Sequence, residues 1–539
     1  MGNGIDSASH GEGTQGRTLS RRDLVLGCAT AGVAAGVATS LSGTRPNAAR
    51  AETAGQDAWD YEADVVVVGY GGAGASAAIT AHDAGAEVIV LEKLDRKGGS
   101  TAVSGGGFVY TKPEDVQSAV EYYRALQDGS NANYDEGMLE DYVEQTTGIL
   151  DWLTSIMPER MEYSPYGSAG YPQVVGADVI TKYCCVDTQA NGADPAGALF
   201  AGLDEAVTSR GITVLMQTPA KHLILGDDGQ VAGVLAEQDG MQVRVRARRG
   251  VCMTCGGFLF NPEMLSDYVK GVEIGGVGCE GNTGDGIRMC QEVGAGLWHM
   301  NATSGGLGFH PDGGTWSYAF PGIAMCPNSI FVDTLGKRFC DEASMEAHGG
   351  MYAVDKFVTL PSPHYERIPS YLIFDQATFD EKPTLMIGRK HFDRQWSADN
   401  SEEVDLGWIV KADSIEELAQ SDGLDPQTLA QTVQTWNDAV RSGNDADFGR
   451  DVTGLSPIET GPFYSIRLTP ALINTQGGPR RTVDAQVVDA FGEPIPRLFS
   501  AGEMGSMFGL AYQGASNVCK AMIYGRKAGA GAAACAPRD

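Results

Sequence analysis

The chain of 539 residues is 42% hydrophobic and 20% charged, so it can bury a large core and form more than one domain. Its 69 acidic residues against 39 basic ones give a formal net charge of -30, which argues against nucleic acid as a partner. After residue 51 no apolar stretch is long enough to cross a bilayer, so the mature chain is expected to lack a membrane span.

The first residues carry a targeting pattern. Arg21 and Arg22 precede a weakly apolar run rich in Ala and Gly over residues 24–41, and the Ala-Arg-Ala at 49–51 resembles a cleavage site. We therefore predict a twin-arginine signal peptide over 1–51 and export to the periplasm or cell envelope. A disordered N-terminus or a signal anchor is the alternative. Since this route carries folded proteins, the signal also hints at a bound cofactor.

The next segment has the pattern of a dinucleotide site. Four valines at 65–68 predict a buried parallel strand, and Gly69, Gly71 and Gly74 follow it. These glycines permit a tight turn, close approach of a pyrophosphate and packing of the following helix on the strand. A second apolar strand ends at Glu92, where a carboxylate can accept hydrogen bonds from a ribose. The pattern predicts a Rossmann-type domain.

A second glycine-rich region favours FAD over NAD as the dinucleotide. It lies at residues 97–107 and can line a long, extended ligand. No segment typical of covalent flavin attachment is recognisable, so the FAD is expected to be non-covalent. Cys252 and Cys255 lie in a strand-like run without a second pair at zinc-ligand spacing. They are interpreted as structural, and no metal site is predicted.

The remaining elements continue an α/β pattern. Residues 114–160 are expected to be helical, and alternating runs over 212–255 separated by Asp-Gly turns predict a β-meander. Two further helices, each preceded by a capping residue, are predicted at 414–421 and 425–441.

On these motifs the chain resembles the flavoprotein family that contains soluble fumarate reductases, urocanate reductases, 3-ketosteroid dehydrogenases and cardiac-glycoside-type reductases. Further matching motifs lie at residues 283–286, 310–311, 328–333, 336–339 and 498–503. The resemblance extends from about Tyr61 to the C-terminus. The FAD contacts that it implies are Gly74, Glu92, Lys93, Ser100, Thr101, Gly106, Gly107, Ala220, Asp285, Glu503 and Val518.

The resemblance also implies the domain organisation. An α/β FAD-binding domain with its β-meander is expected to be discontinuous, over 60–298 and 470–535. Residues 299–469 interrupt the flavin-binding pattern and are expected to form an inserted α+β capping domain that closes over the flavin.

The substrate position is expected to be uncharged. Fumarate reductases carry a catalytic arginine and two substrate-binding groups where this chain has Met325, Asn474 and Asn517. Because a dicarboxylate requires cationic partners, three neutral residues argue against such a substrate. His310 is a further candidate for substrate binding, with an ordinary loop histidine as the alternative.

Aromatic and amide groups occupy this region instead. The resemblance places Tyr512 and Gly514 where 3-ketosteroid dehydrogenases polarise the substrate ketone with a tyrosine and a backbone N–H, and Gln513 lies between them. Such donors stabilise the enolate that forms during hydride transfer. Tyr512 is therefore the first catalytic candidate. The alternative is a core tyrosine that packs behind the flavin.

Other positions depart from the dehydrogenase pattern. The residue corresponding to the catalytic base is Glu346, which requires a raised pKa to serve in that role. Tyr171 or Tyr166 corresponds to a further active-site tyrosine. Arg480 and Arg481 lie beside the expected flavin edge and are interpreted as solvated. The alternatives are that they stabilise reduced flavin or bind a charged substituent.

The sequence therefore predicts an exported FAD-dependent oxidoreductase that transfers a hydride between flavin N5 and a C=C bond conjugated to a carbonyl. The expected substrate is an uncharged cyclic or steroid-like enone, and the expected electron partner is a quinone or redox protein. The alternatives are 3-ketosteroid dehydrogenation, reduction of a carboxylate such as fumarate or urocanate, and a flavin carrier without chemistry of its own.

Overall fold

The structure of the protein is a computed structural model. It describes residues 52–53, 58–130, 133–189, 195–311, 315–345, 348–388 and 394–538. The predicted twin-arginine segment and Glu346 lie outside these residues. No helix in the described ranges is both long and apolar enough to cross a membrane.

The central element is a nine-stranded sheet that combines a parallel part with a meander. The meander strands pair antiparallel, and Met241–Met253 then continues into the parallel part beside Tyr61–Val68. The strands in spatial order are Glu52–Thr53, Ala220–Leu225, Val231–Gln238, Met241–Met253, Tyr61–Val68, Val88–Leu91 and Thr213–Leu215, with Pro494–Ser500 on Met241–Met253 and Gln486–Val488 beside it. The predicted Rossmann-type sheet and meander are thus present.

The four valines explain why this sheet is buried on both sides. Successive side chains of a strand point to opposite faces. Val65 and Val67 accordingly pack in one apolar cluster with the helices Gly72–Asp83 and Ser516–Ala534, while Val66 and Val68 pack in another.

A seven-stranded sheet is built around the long strand Phe463–Thr475. Apolar side chains again alternate between its two faces: Leu372 and Phe374 pack in one cluster, and Tyr371 and Ile373 in the other. The other strands are Gly275–Gly276, Thr303–Phe309, Tyr318–Ala319, Ile330–Val332, Ser370–Asp375 and Ile409–Ala412. Most of them lie within the predicted capping segment, but the boundaries at 299 and 469 remain predictions.

Three smaller sheets contain the remaining strands of the described residues. They are Gly107–Tyr110 with Thr181–Asp187 and Met161–Gly167, Leu297–Trp298 with Gly478–Pro479, and Phe357–Val358 with His364–Tyr365.

The helices that the sequence predicted are present, and further helices accompany them. The segment 114–160 contains Val116–Gly129, Glu136–Thr146 and Ile149–Ile156, and the two capped helices are Ile415–Asp422 and Pro426–Ser442. The other α-helices are Gly72–Asp83, Gly99–Val103, Pro195–Ser209, Pro262–Tyr268, Asp285–Glu292, Gln376–Asp380, Ser401–Asp405 and Ser516–Ala534. Short 3₁₀ turns are Pro113–Asp115, Ala177–Val179, Ile323–Met325, Glu342–Ser344 and Gly350–Ala353.

Candidate functional site

A long cleft opens at the carboxyl ends of the parallel strands, where ligands of open α/β sheets bind. Its empty volume is about 1220 Å³. The lining begins with residues that follow the strands. Gly69 comes directly after Tyr61–Val68, Glu92 after Val88–Leu91 and Thr254 after Met241–Met253, and Gly502 lies two residues after Pro494–Ser500.

The glycines of the turn lie where a side chain would clash with neighbouring backbone. Gly69 has φ +100°, and a Cβ there would lie 2.5 Å from the Thr254 carbonyl oxygen. A Cβ on Gly74 would lie 2.0 Å from the Gly69 carbonyl oxygen, so Gly74 closes the turn onto the helix and does not line the cleft. Gly71 and Gly72 line it at the N-terminus of the helix, the end whose dipole favours phosphates, and the Gly72 N–H donates to Thr101 Oγ1 at 3.1 Å.

Two charged residues shape the outer end of the cleft. The Glu92 carboxylate is nearly buried and accepts hydrogen bonds from the backbone N–H groups of Tyr70 and Leu94, at 2.8 and 2.9 Å. Lys93 Nζ donates to Thr283 Oγ1 at 2.6 Å and to Asp285 Oδ2 at 2.7 Å. These bonds fix Glu92 beside the glycine turn, as a ribose-binding carboxylate requires.

Glu503 lies where the cleft passes between the two large sheets. Its carboxylate accepts hydrogen bonds from Ser100 Oγ at 3.2 Å, Asn282 Nδ2 at 3.0 Å and the Thr475 backbone N–H at 3.1 Å. Burial raises the pKa of Glu503 to about 7, which the Thr475 N–H and the nearby Lys520 amine partly oppose. Burial also holds the pKa of Lys520 well below its usual range.

The inner end of the cleft is lined by Ile473, Asn474, Tyr512 and Asn517. Tyr512 Oη accepts a hydrogen bond from the Asn517 backbone N–H at 3.2 Å. The imidazole of His348 contacts the Tyr512 ring edge-on, with 5.1 Å between the ring centroids. Among the described residues that line the cleft, Lys93 is the single cation, and no arginine or histidine is present.

The predicted site residues divide into two groups. Those that line the cleft are Gly69, Gly71, Glu92, Lys93, Ser100, Thr101, Ala220, Asp285, Asn474, Glu503, Tyr512 and Val518. Those that lie elsewhere in the described structure are Gly74, Gly106, Gly107, Tyr166, Tyr171, His310, Met325, Gln513 and Gly514.

Packing explains several of the residues placed elsewhere. Gly107 makes room for Tyr166, because a Cβ there would lie 2.0 Å from the tyrosine hydroxyl. Tyr166 itself is 51% exposed, and Met325 is 47% exposed in a 3₁₀ turn. Gln513 is fully buried, where its Oε1 accepts hydrogen bonds from Tyr122 Oη and the Gly170 N–H.

The other four residues occupy turns and packing positions. Gly106 adopts φ +68° in the turn between the helix Gly99–Val103 and the strand Gly107–Tyr110. Gly514 leaves room for His348, since a Cβ would lie 2.8 Å from His348 Cε1. Tyr171 packs against the main apolar cluster, and His310 directly follows the strand Thr303–Phe309.

One sequence interpretation is wrong. Arg481 is not solvated: it is 2% exposed, and its Nη1 donates to the carbonyl oxygens of Met504 and Gly505. Burial lowers the pKa of Arg481 to about 10. Arg480 is exposed and lies 5.8 Å from the Trp298 ring. The residues next to the Arg-Arg pair do not indicate that one member is enclosed by the chain 23 residues further on.

The sequence reasoning also missed contributors to the site. Asn282 joins Ser100 to Glu503, His348 lies against Tyr512, and Lys520 is fully buried beside Asn517. A lysine at the fifth position of a Gly/Ala-rich helix was the one signal available for the last of these, since such residues are rarely buried.

The glycine turn, the carboxylate that follows the second strand and the cleft at the carboxyl ends of the strands together define a dinucleotide-binding protein of the Rossmann class. Residues 64–518 match a family model described as FAD binding domain. The chain belongs to this flavoprotein family, and FAD is its cofactor. The FAD-binding fold and the family resemblance expected from the motifs are thus confirmed.

Similar proteins are reductases and dehydrogenases. NADH:fumarate oxidoreductase of Klebsiella pneumoniae is 29% identical over 489 residues, 89% of this chain, which spans 48% of that relative's length. Digoxin reductase of Eggerthella lenta is 28% identical over 97% of this chain and 98% of its own. A crystal structure of 3-ketosteroid-delta4-(5alpha)-dehydrogenase from Rhodococcus jostii, in complex with 4-androstene-3,17-dione, is 26% identical with a TM-score of 0.67, covering 90% of this chain and 99% of that chain. The protein is accordingly an FAD-dependent oxidoreductase.

Proposed function

We propose that this protein reduces a C=C bond conjugated to the carbonyl of an uncharged cyclic or steroid-like enone. The observation that carries the proposal is the neutral lining of the inner cleft by Ile473, Asn474, Tyr512 and Asn517. Hydroxyl and amide groups suit a ketone oxygen, whereas a dicarboxylate requires arginine or histidine. Digoxin reductase, similar along nearly the whole chain, supports the same substrate class.

The reaction requires a donor at the carbonyl oxygen. FAD held in the cleft and reduced by two electrons would supply the hydride that the β-carbon of the enone receives. The electron pair of the C=C bond moves toward the carbonyl oxygen, giving an enolate that takes a proton at the α-carbon. In this proposal Tyr512 polarises the oxygen or supplies that proton, because a phenol is a competent general acid toward an enolate. The Asn517 N–H bonded to Tyr512 Oη stabilises negative charge on the phenol oxygen.

Turnover in the reductive direction needs two electrons from outside the site. We propose a quinone or a redox protein as the donor. The desaturating direction, as in 3-ketosteroid dehydrogenases, uses the same geometry with a base at Glu346. We favour reduction because that position carries a glutamate in place of the tyrosine of the dehydrogenases.

The proposal can be tested by reoxidation of the reduced holoenzyme under anaerobic conditions. We expect 4-androstene-3,17-dione to restore the visible flavin absorbance rapidly, and fumarate and urocanate to do so slowly. In Tyr512→Phe the steroid rate should fall by about 100- to 1000-fold, the usual effect of losing one donor to a developing oxyanion. Tyr61→Phe removes a hydroxyl that bonds Gln238 away from the cleft, so it should retain the wild-type rate.

Rapid reoxidation by fumarate alone would contradict the proposal and point to a carboxylate reductase. Rapid flavin reduction by a saturated 3-ketosteroid, with no reoxidation by the enone, would support the dehydrogenase alternative. A flavin that responds to none of these compounds would indicate an electron carrier.

A further inference from the structure

Asn517 lies at a junction between the cleft and the last helix of the chain. It is the second residue of Ser516–Ala534 and lines the inner cleft beside Tyr512. The preceding residue, Ala515, adopts φ +76°, a strained conformation for a residue with a Cβ. Such a conformation persists where the surrounding structure holds it in place. The Asn517 backbone N–H donates to Tyr512 Oη at 3.2 Å, so the start of the helix contacts Tyr512.

The amide of Asn517 is oriented by a buried lysine. Lys520 has no exposed surface, and its Nζ donates a hydrogen bond to Asn517 Oδ1 at 3.0 Å. Because the lysine presents N–H donors, it binds the oxygen of the amide and not its NH₂ group. The two ends of an asparagine amide are opposite, so the NH₂ group is directed away from the lysine.

The NH₂ group of Asn517 can still donate a hydrogen bond. Asn517 Nδ2 is buried and has no hydrogen-bond partner among the described residues. A buried amide donor is costly when it remains unsatisfied, so its place in a ligand cleft indicates an acceptor on the ligand.

We propose that Asn517 Nδ2 donates a hydrogen bond to the substrate carbonyl oxygen, and that Lys520 is the positioning residue that fixes the amide for this purpose. The inference rests on the proposed function and adds a second donor beside Tyr512. A neutral donor stabilises the charge that develops on a ketone oxygen, but it cannot neutralise a carboxylate. Asn517 thereby selects enones over unsaturated acids, at the position where the fumarate reductases carry arginine.

The test uses 4-nitrophenol, whose phenolate mimics the enolate oxygen, bound to the oxidised holoenzyme without turnover. We expect the wild-type site to lower the pKa of the bound phenol, measured from the phenolate absorbance across a pH series. Replacing both partners by apolar residues of similar shape, in the double variant Asn517→Leu and Lys520→Met, avoids leaving either one unsatisfied. Phenolate binding should weaken by about 10- to 100-fold in this variant.

Two single substitutions separate positioning from folding. Lys520→Met leaves the amide in place without its orienting partner, so phenolate binding should fall less than in the double variant. The control Lys527→Met lies on the same helix, where Lys527 pairs with Asp141 at 2.7 Å, and should bind phenolate like the wild type.

The outcomes distinguish the inference from the proposed function. An unchanged phenol pKa in the double variant, together with a shifted flavin reduction potential, would assign the donor to the flavin and overturn the inference. Failure of the wild type to bind the phenol, or to lower its pKa, would overturn it as well. Phenol ionisation that depends on Asn517, without any reoxidation by the steroid enone, would contradict the proposed function alone.

Discussion

At the scale of single residues, Glu503 is an acidic group whose surroundings disfavour its charge. Burial raises its pKa to about 7, although Thr475, Ser100 and Asn282 donate hydrogen bonds to it. An unfolded glutamate has a pKa of ~4.3. Between that pH and about pH 7, Glu503 of the folded protein keeps a proton that the unfolded chain has already released.

The sign of the pH dependence follows from this raised pKa. The stabilising contribution is fully present below the unfolded pKa and is lost as the pH rises through the folded pKa of about 7. We therefore expect the free energy of unfolding of the FAD-free protein to fall, relative to Glu503→Gln, by up to roughly 3 kcal/mol between acidic and mildly alkaline pH.

Urea unfolding of the FAD-free wild type and Glu503→Gln across this pH range measures the difference. Glu263, which is exposed and pairs with Arg288, provides the control: Glu263→Gln should keep the wild-type pH slope. Parallel pH slopes for the wild type and Glu503→Gln would contradict the raised pKa.

At the scale of secondary-structure elements, the last helix, Ser516–Ala534, packs tightly against the dinucleotide helix Gly72–Asp83. Two glycines one turn apart allow this approach. A Cβ on Gly525 would lie 2.4 Å from the Ala73 carbonyl oxygen, and one on Gly529 would lie 2.2 Å from that of Ala77. The same helix carries Asn517 and Val518 in the cleft, so the contact positions part of the FAD site.

We expect Gly529→Ala to separate the two helices and to weaken FAD binding. Overpacking a close contact typically costs about 1–3 kcal/mol, which exceeds the gain in helix propensity. Thermal unfolding and the dissociation constant of FAD, from its fluorescence, should both show the loss.

Gly197→Ala is the matched control. This glycine lies in the helix Pro195–Ser209, and an added Cβ would have no atom within 4 Å. The same substitution should there leave FAD binding unchanged and raise stability slightly, since alanine is the better helix former. Equal effects of the two substitutions would argue against a tight helix contact as the cause.

Another element-scale contact explains the Gly-Lys-Arg-Phe motif at 336–339. Arg338 is buried with Glu342 and Asp445, at 2.8 and 3.1 Å, and its guanidinium lies 4.6 Å from the Trp436 ring. The arginine thus joins a short turn to the helix Pro426–Ser442 and to the loop behind it. The motif has a structural role, because the charge of Arg338 is paired with Glu342 and Asp445 and lies away from the cleft.

At the scale of the whole molecule, we propose that the protein is exported by the twin-arginine route with FAD already bound. The support is the Arg21-Arg22 pair and the apolar run that follows it. Lysine at both positions, in the double variant Arg21→Lys and Arg22→Lys, should keep the flavoprotein in the cytoplasm. Cell fractionation followed by immunoblotting measures the distribution.

Arg17→Lys, a substitution of the same kind just outside the pair, should be exported like the wild type. Equal distributions of the wild type and the double variant would contradict this route.

The sequence by itself determined the local parts of the protein. The four valines, the glycine turn, the helix and Glu92 occupy about 30 successive residues, and each depends mainly on its neighbours. The β-meander and the capped helices at 414–442 could be predicted for the same reason, since turn glycines and capping residues act within a few positions.

Only the tertiary structure decided which side chains share the inner cleft. His348 meets Tyr512 across 164 residues, Asn282 meets Glu503 across 221, and Arg481 is enclosed by carbonyl oxygens beyond residue 503. Such contacts depend on how distant segments pack, and no local pattern encodes them. The same holds for Lys520: its spacing from Asn517 is visible in the sequence, but its burial follows from the packing of the last helix against the rest of the protein.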